Sequence, residues 1–285
     1  MTPVTDIPAP PARADDAHKG TFGTLLILGG SHAMIGAPML AARSAYRGGV
    51  GLVQVAMPRP MLGHALTLLP EATGLPLDNA EADLDSLRTA AERATAFVVG
   101  PGLGQEEGAD AWLDALLATD LPAVVDADGL NLLARRGAWN GRSAPTILTP
   151  HPGEMARLLP HVRGETSVPR DRAGRRTFTL KAAESLGAVL VLKGSDTDVS
   201  DGNRLYVNDT GDATLAKAGS GDVLAGLIGS LLAQGMPPFE AAVLGVHAHG
   251  LAGERVGQMR TTRGGLASEV ADALPAVLAQ LEARA

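Results

Sequence analysis

Short apolar runs that each break into glycine or a polar cluster recur along this chain, separated by helical stretches. Thr24–Leu28 breaks at Gly29-Gly30, Ala96–Val99 at Gly100-Pro101-Gly102, and residues 122–125 at Asp126-Ala127-Asp128. Thr146–Leu148 breaks at Thr149-Pro150-His151-Pro152, and residues 188–192 at Lys193-Gly194. Continuous apolar runs of this length fit strands buried on both faces. Helices are expected between them at 37–47, 80–94, 109–118, 128–134 and 170–186, with a further strand at 50–56 ended by Met57-Pro58. The alternation predicts an α/β fold: three layers, α/β/α, around a mostly parallel sheet. Residues 197–200 and 204–208 flank Asp201-Gly202 and predict a hairpin. Three helices, 223–233, 239–256 and 267–283, close the chain.

In a parallel sheet the carboxyl ends of the strands share one edge, and ligands bind outside it. The five polar or glycine-rich clusters therefore converge. Composition narrows what they can do. A net charge of −7 offers no basic field for nucleic acid, and the absence of cysteine excludes thiolate chemistry, disulfides and Cys-ligated zinc. No window is long and apolar enough for a membrane span. The proline-rich residues 1–17 lack a signal-peptide pattern and read as a loose lead-in to one domain, 18–285.

The segment Thr210-Gly211-Asp212-Ala213-Thr214-Leu215-Ala216-Lys217-Ala218-Gly219-Ser220-Gly221-Asp222 carries the chemistry. It runs a glycine-rich loop into a helix. Unpaired amides at a helix start attract anions, glycines allow close approach, and a carboxylate there can take a hydroxyl proton. A turn capped by Asp222 is the alternative, and the loop alone leaves both open. A helix N-terminus favours ionised carboxylate, so Asp222 is expected to be a weak base.

Other clusters are less specific. Gly100-Pro101-Gly102-Leu103-Gly104 has the wrong spacing for a dinucleotide fingerprint, leaving a tight turn or a loop that lets a ligand lie on bare backbone. There is no P-loop, so Lys193-Gly194-Ser195-Asp196-Thr197 is the candidate nucleotide loop; a solvated lysine at a strand boundary is the alternative. Lys217 could approach the anion loop as a point charge. His151, fixed between prolines and followed by Glu154, suits ligand contact. Asp126 and Asp128 could organise water or magnesium, or Asp128 could cap a helix. His247 and His249 stand two apart on a helix, poor geometry for a shared metal, and read as structural. No serine elbow is present.

In series, these segments make the chain similar to the ADP-dependent NAD(P)H-hydrate dehydratases of the ribokinase-like superfamily. The similarity rests on His18-Lys19-Gly20, Gly29-Gly30-Ser31 with Gly36-Ala37, Gly49-Val50-Gly51, Gly100 to Gly104, Asp126-Ala127-Asp128 and Thr149 to Glu154. It continues through Lys193-Gly194, Thr210 to Leu224 and His249-Gly250-Leu251-Ala252-Gly253. The resemblance implies a ribokinase-like sandwich. It also implies a repair enzyme that dehydrates the S epimer of NADHX or NADPHX at the expense of ADP, or ATP, with Mg2+, releasing AMP and phosphate when ADP is used.

By position, the resemblance puts Lys193, Gly194, Ser195, Asp196 and Thr197 at the nucleotide. It adds Asp212, Ala213, Thr214, Leu215, Ala216, Lys217, Ala218, Gly219, Ser220 and Gly221. Ala37, Gly102, Gly104, His151 and Asp222 would meet the hydrated cofactor, Asp222 as catalytic base; the metal ligands stay unassigned. Two positions depart from the pattern: Met34 where tyrosine is common, and Asp212 where asparagine is. The resemblance further implies a cytoplasmic homotetramer and a separate epimerase acting on the same substrate. Two alternatives remain: a small-alcohol kinase of the hydroxymethylpyrimidine or hydroxyethylthiazole type, and a nucleotide-binding sensor without turnover.

Overall fold

The structure, a computed structural model, describes residues 3–78, 80–105, 108–136, 139 and 141–284. Its strands are β1 (Thr24–Leu28), β2 (Leu52–Pro58), β3 (Thr73–Leu77), β4 (Ala96–Val99), β5 (Ala123–Val125), β6 (Thr146–Leu148), β7 (Val189–Leu192), β8 (Asp198–Ser200) and β9 (Leu205–Val207). They form one nine-stranded sheet in the order β3-β2-β1-β4-β5-β6-β7-β8-β9. Every pair from β3 to β7 is parallel. The β8–β9 pair is antiparallel, as the hairpin reading required, and β7–β8 is antiparallel as well.

The helices are α1 (Gly36–Arg47), α2 (Arg59–Leu66), α3 (Ala80–Arg93), α4 (Ala109–Leu117), α5 (Ala127–Ala134), α6 (Pro152–Leu158), α7 (Arg172–Leu186), α8 (Ser220–Ala233), α9 (Pro238–Gly264) and α10 (Ala267–Glu282). Side chains alternate across a strand, so each strand feeds two cores. Leu25, Ile27, Val53, Val55, Val98 and Val124 point into one core, with α1, α8, α9 and α10. Leu26, Leu28, Phe97, Val99, Val125 and Leu190 point into the other, with α3, α4 and α7. This is the expected three-layer sandwich.

Several expectations need correction. The helix α2 and strand β3, unassigned from sequence, add an edge to the sheet, and β2 runs on through Met57 to Pro58 instead of ending at Ala56. Pro76 on that edge strand explains the weak signal. The helix α9 runs past Val256 to Gly264, across a kink at Thr261 with φ 63° and ψ 156°. The lead-in is tied down. Val4 bridges to Tyr206 beside β9, Ile7 packs on the core, and Arg13 donates to the Gly49 carbonyl while stacking on Phe22.

Candidate active site

Strand order places a crevice between β1 and β4, because the chain winds outward to β3 and then crosses back. The loops after these strands meet there, with Gly30 N–H donating to the Pro101 carbonyl at 2.9 Å. Along the same edge, the buried Asp126 carboxylate accepts from Thr149 Oγ1 at 2.7 Å and from Lys193 Nζ at 2.8 Å. Glu154, also buried, places Oε2 3.7 Å from the same ammonium. Lys193 is therefore part of a buried charge cluster and not a solvated strand boundary. Burial pulls its pKa down, but Asp126, Glu154 and Asp222 outweigh that and raise it, so the ammonium stays charged.

Above this ammonium lies the start of α8. Its N-cap Gly219 has φ 91°, in the left-handed region, and no side chain caps the first turn. A Cβ on Gly221 would stand 3.3 Å from Lys193 Nζ and 3.8 Å from Asp126 Oδ2. Glycine there lets the backbone lie close over the cation. Asp222, one residue on, has its pKa raised to about 7, first by burial and then by Asp126, Asp128 and Glu154; Lys193 opposes. The expected weak base is corrected. Desolvation and three carboxylates outweigh the helix N-terminus, leaving a carboxyl near the value best suited to general-base work at neutral pH.

The other candidates sort around this centre. Ala37 and Gly102 are adjacent: a Cβ on Gly102 would come 3.2 Å from that of Ala37. Gly104 N–H donates to Asp128 Oδ2 at 2.9 Å, and Asp128 also accepts from Gln105 and Asn131. His151 caps α6: its Nδ1 accepts from the Gly153 and Glu154 amides while Glu154 accepts from His151 N–H. That capping box leaves Nε2 as the nitrogen free of backbone, 3.4 Å from Glu154 Oε1.

Asp212 turns its carboxylate onto the Thr214 amide at 2.8 Å, capping the short helical turn Ala213–Leu215. Lys217 does not offer the anion loop a point charge: its ammonium holds the carbonyls of Arg263 and Gly265. Ser195 follows Gly194 in a tight loop closed by Thr197 Oγ1 on the Gly194 carbonyl, with Asp196 paired to Arg172.

One buttress had no sequence signal. Arg175 on α7 binds Asp198 and donates to the Leu192 and Lys193 carbonyls, fixing the end of β7 from behind. A hollow of about 650 Å³ adjoins Gly153, Gly194 and Ser195. Another, of about 290 Å³ around Arg142 and Thr146, lies where strands begin and is remote from these clusters. Among the described residues, no group of three or more His, Asp or Glu is arranged to hold a metal ion.

A family model described as NAD(P)H-hydrate dehydratase matches residues 25–276. The chain belongs to that family. It is 44% identical over 276 residues to an ADP-dependent (S)-NAD(P)H-hydrate dehydratase of Neisseria meningitidis serogroup B, covering 92% of this chain and 87% of that protein. It is 39% identical over 282 residues to a bifunctional NAD(P)H-hydrate repair enzyme of Moorella thermoacetica. That match covers 95% of this chain and 52% of the relative, so the chain spans about half the bifunctional protein's length. In structure it resembles the ADP/ATP-dependent NAD(P)H-hydrate dehydratase of Bacillus subtilis co-crystallised with ATP and Mg2+. The TM-score is 0.82 at 33% identity, covering 95% of this chain and 94% of that one. The NAD(P)H-hydrate dehydratase sandwich is thus ribokinase-like, as the sequence implied. Among the described residues no helix is long and apolar enough to cross a membrane.

Proposed function

We propose that this chain dehydrates the S epimer of NADHX and NADPHX, using ADP or ATP to turn a ring hydroxyl into a leaving group. One observation carries the reading: a carboxyl raised to about 7 stands in the first turn of an uncapped, glycine-started helix over a buried ammonium. The ring hydroxyl oxygen attacks the terminal phosphorus, its proton passes to Asp222, and the bond to the departing nucleotide breaks. Amides of Gly219 and Gly221, with Lys193 beneath, stabilise the charge on the transferred phosphoryl oxygens, while the Ser220 amide donates to the Lys217 carbonyl. The ring nitrogen lone pair then expels phosphate, and loss of a proton from the neighbouring carbon restores the 5,6 double bond.

The nucleotide lies along Lys193–Thr197 and Asp212–Gly221. Ala37, Gly102, Gly104 and His151 line the hydrated ring's side, with His151 Nε2 as the donor its capping role leaves available. The carboxylates nearest the loop are already engaged: Asp126 by Thr149 and Lys193, Glu154 by His151 N–H, and Asp128 by Gly104 N–H. They do not fit a cage for a bare ion. Magnesium is assigned to the nucleotide phosphates, with water as its other partner, and no step is routed through it.

We place residues 18–285 in one catalytic domain, working in the cytoplasm as a homotetramer, with a separate epimerase acting on the same substrate. The test is direct. Incubation with (S)-NADHX, magnesium and ADP should restore the dihydronicotinamide absorbance with one phosphate released per ring. No return with either ADP or ATP refutes the reading, and a stable phosphorylated alcohol would mark a kinase instead.

A further inference from the structure

The helix α9 grips both ends of the segment that becomes the anion loop. At the first end, His247 Nδ1 lies 3.0 Å from Tyr206 Oη and the His247 carbonyl accepts from Thr210 Oγ1 at 3.0 Å. Glu254, two turns on, accepts from Gly211 N–H at 2.7 Å. Between the ends, the segment lies directly on glycines of the helix. A Cβ at Gly250 would collide with Thr210, one at Gly253 with Leu215, and one at Gly257 with Thr214 and Asp212.

At the second end stands His249, 7% exposed, its imidazole against the Ser220 backbone. That contact favours the protonated ring, the sense of a ring N–H facing the Ser220 carbonyl. Two polar atoms here have no partner although both are fully buried: His249 Nε2 and Ser220 Oγ. A ring nitrogen without a donor and a hydroxyl without an acceptor sit on two touching residues. Each costs about 1–3 kcal/mol while unpaired, and a buried orphan of this kind calls for a functional explanation.

We propose that His249 is a positioning residue for phosphoryl transfer, setting through Ser220 where the first-turn amides of α8 and the Asp222 carboxyl point. This rests on the phosphoryl-transfer reading of the same loop. Ser220 is the first helical residue after the left-handed Gly219, so a rotation there swings the Gly221 and Asp222 amides together. No side chain caps the turn, so the direction must be set from behind. The imidazole is suited to the place because it stays neutral: burial, with Lys193 adding repulsion, pushes it down to about 4. It supplies a donor and an acceptor without a charge that would pull phosphate or Asp222 out of line.

The test compares His249→Phe with His249→Gln. Phenylalanine keeps the ring volume and removes an unpaired polar atom, so its Tm should equal or exceed the parent's. Its nucleotide KM should stay within about threefold while kcat falls by roughly 30-fold, the pattern of a lost transition-state alignment. Glutamine, which restores a donor and an acceptor, should recover about tenfold of that loss even at a lower Tm. A readout independent of turnover uses AMP with inorganic phosphate. These should move the Gly219 and Gly221 amide resonances along a different direction in His249→Phe than in the parent. Parental kcat in His249→Phe, equal impairment in the Phe and Gln variants, or identical amide shifts would each overturn the proposal. Absence of dehydratase turnover in the parent would instead fail the parent reading, while the amide shifts still decide the role of His249.

Discussion

Asp222→Asn should make the protein more stable at pH 8 while removing its turnover. The fold holds this carboxyl at about 7 against an ordinary 3.8. Below pH 4 the carboxyl is protonated in folded and unfolded chains alike, and it contributes no difference. As pH rises from 4 to 7 the unfolded chain releases its proton while the folded chain retains it, so folding loses stability; above pH 7 the loss is complete. At 1.36 kcal/mol per pH unit, the ionised carboxyl costs about 4 kcal/mol at pH 8. Asparagine carries no charge to desolvate, but its amide must find partners, so a gain of about 2–4 kcal/mol is expected. For a chain of this length that is a rise in Tm of roughly 4–8 °C. Calorimetry of parent and variant at pH 4 and pH 8 measures it. The gain must appear at pH 8 and vanish near pH 4. A variant with equal or lower Tm at pH 8, or with the same gain at both values, refutes the reasoning that a buried, repelled carboxyl is held here. The kcat should fall by about 10²–10⁴ in the same variant, the loss expected of a general base.

Asp126→Asn removes the leading charge that repels Asp222 and frees Lys193 to act on it, so the rising limb of kcat against pH should move about one unit toward acid; a limb that stays in place or moves to higher pH refutes that assignment. Gly221→Ala puts a methyl group 3.3 Å from Lys193 Nζ at a helical position that tolerates alanine, so Tm should hold within about 2 °C while ADP affinity drops at least about tenfold, by titration calorimetry. Thr261→Gly relieves a non-glycine residue at φ 63° in the α9 kink and should add about 1 kcal/mol of stability in urea unfolding. A loss there would show that the threonine side chain holds the kink.

The sheet was legible because strands buried on both faces are written as unbroken apolar runs. Where burial is one-sided the code thins out: β3 is half-exposed at the sheet edge and carries Thr73, Gly74 and Pro76, so it did not read as a strand. The helix α6 hid behind Pro150-His151-Pro152, although proline at the first helical position is a start signal once His151 is seen as the cap. At the site, the five strand-end clusters converged as parallel topology demands. Their charges were harder to read. The local rule for a carboxylate at a helix start concerns one element, while the pKa of Asp222 is set first by burial and then by Asp126, Asp128 and Glu154, which come from other segments and are brought together only by the sheet. The side chain of Lys217 likewise looked free in the sequence, because the carbonyls of Arg263 and Gly265 that hold it lie at the C-terminal end of α9, 46 and 48 residues on.

The buried cluster explains why one cation is placed where it is. With Lys193 absent, Asp126, Glu154 and Asp222 would press negative charge into one space, and a phosphate arriving at the Gly219–Gly221 amides would add more. Each added negative charge raises Asp222 further and keeps its proton on, which disables it as a base. Lys193 opposes this from directly beneath Gly221, at the distance where a Cβ would have intervened. It can remain charged there because Asp126 and Glu154 repay its desolvation, and Arg175 and the Pro150 carbonyl hold its backbone in place. Two of the carboxylates that raise Asp222, Asp126 and Glu154, are therefore the same ones that keep its opposing cation charged. Their balance, and not the helix N-terminus alone, sets a base near neutrality under a phosphate.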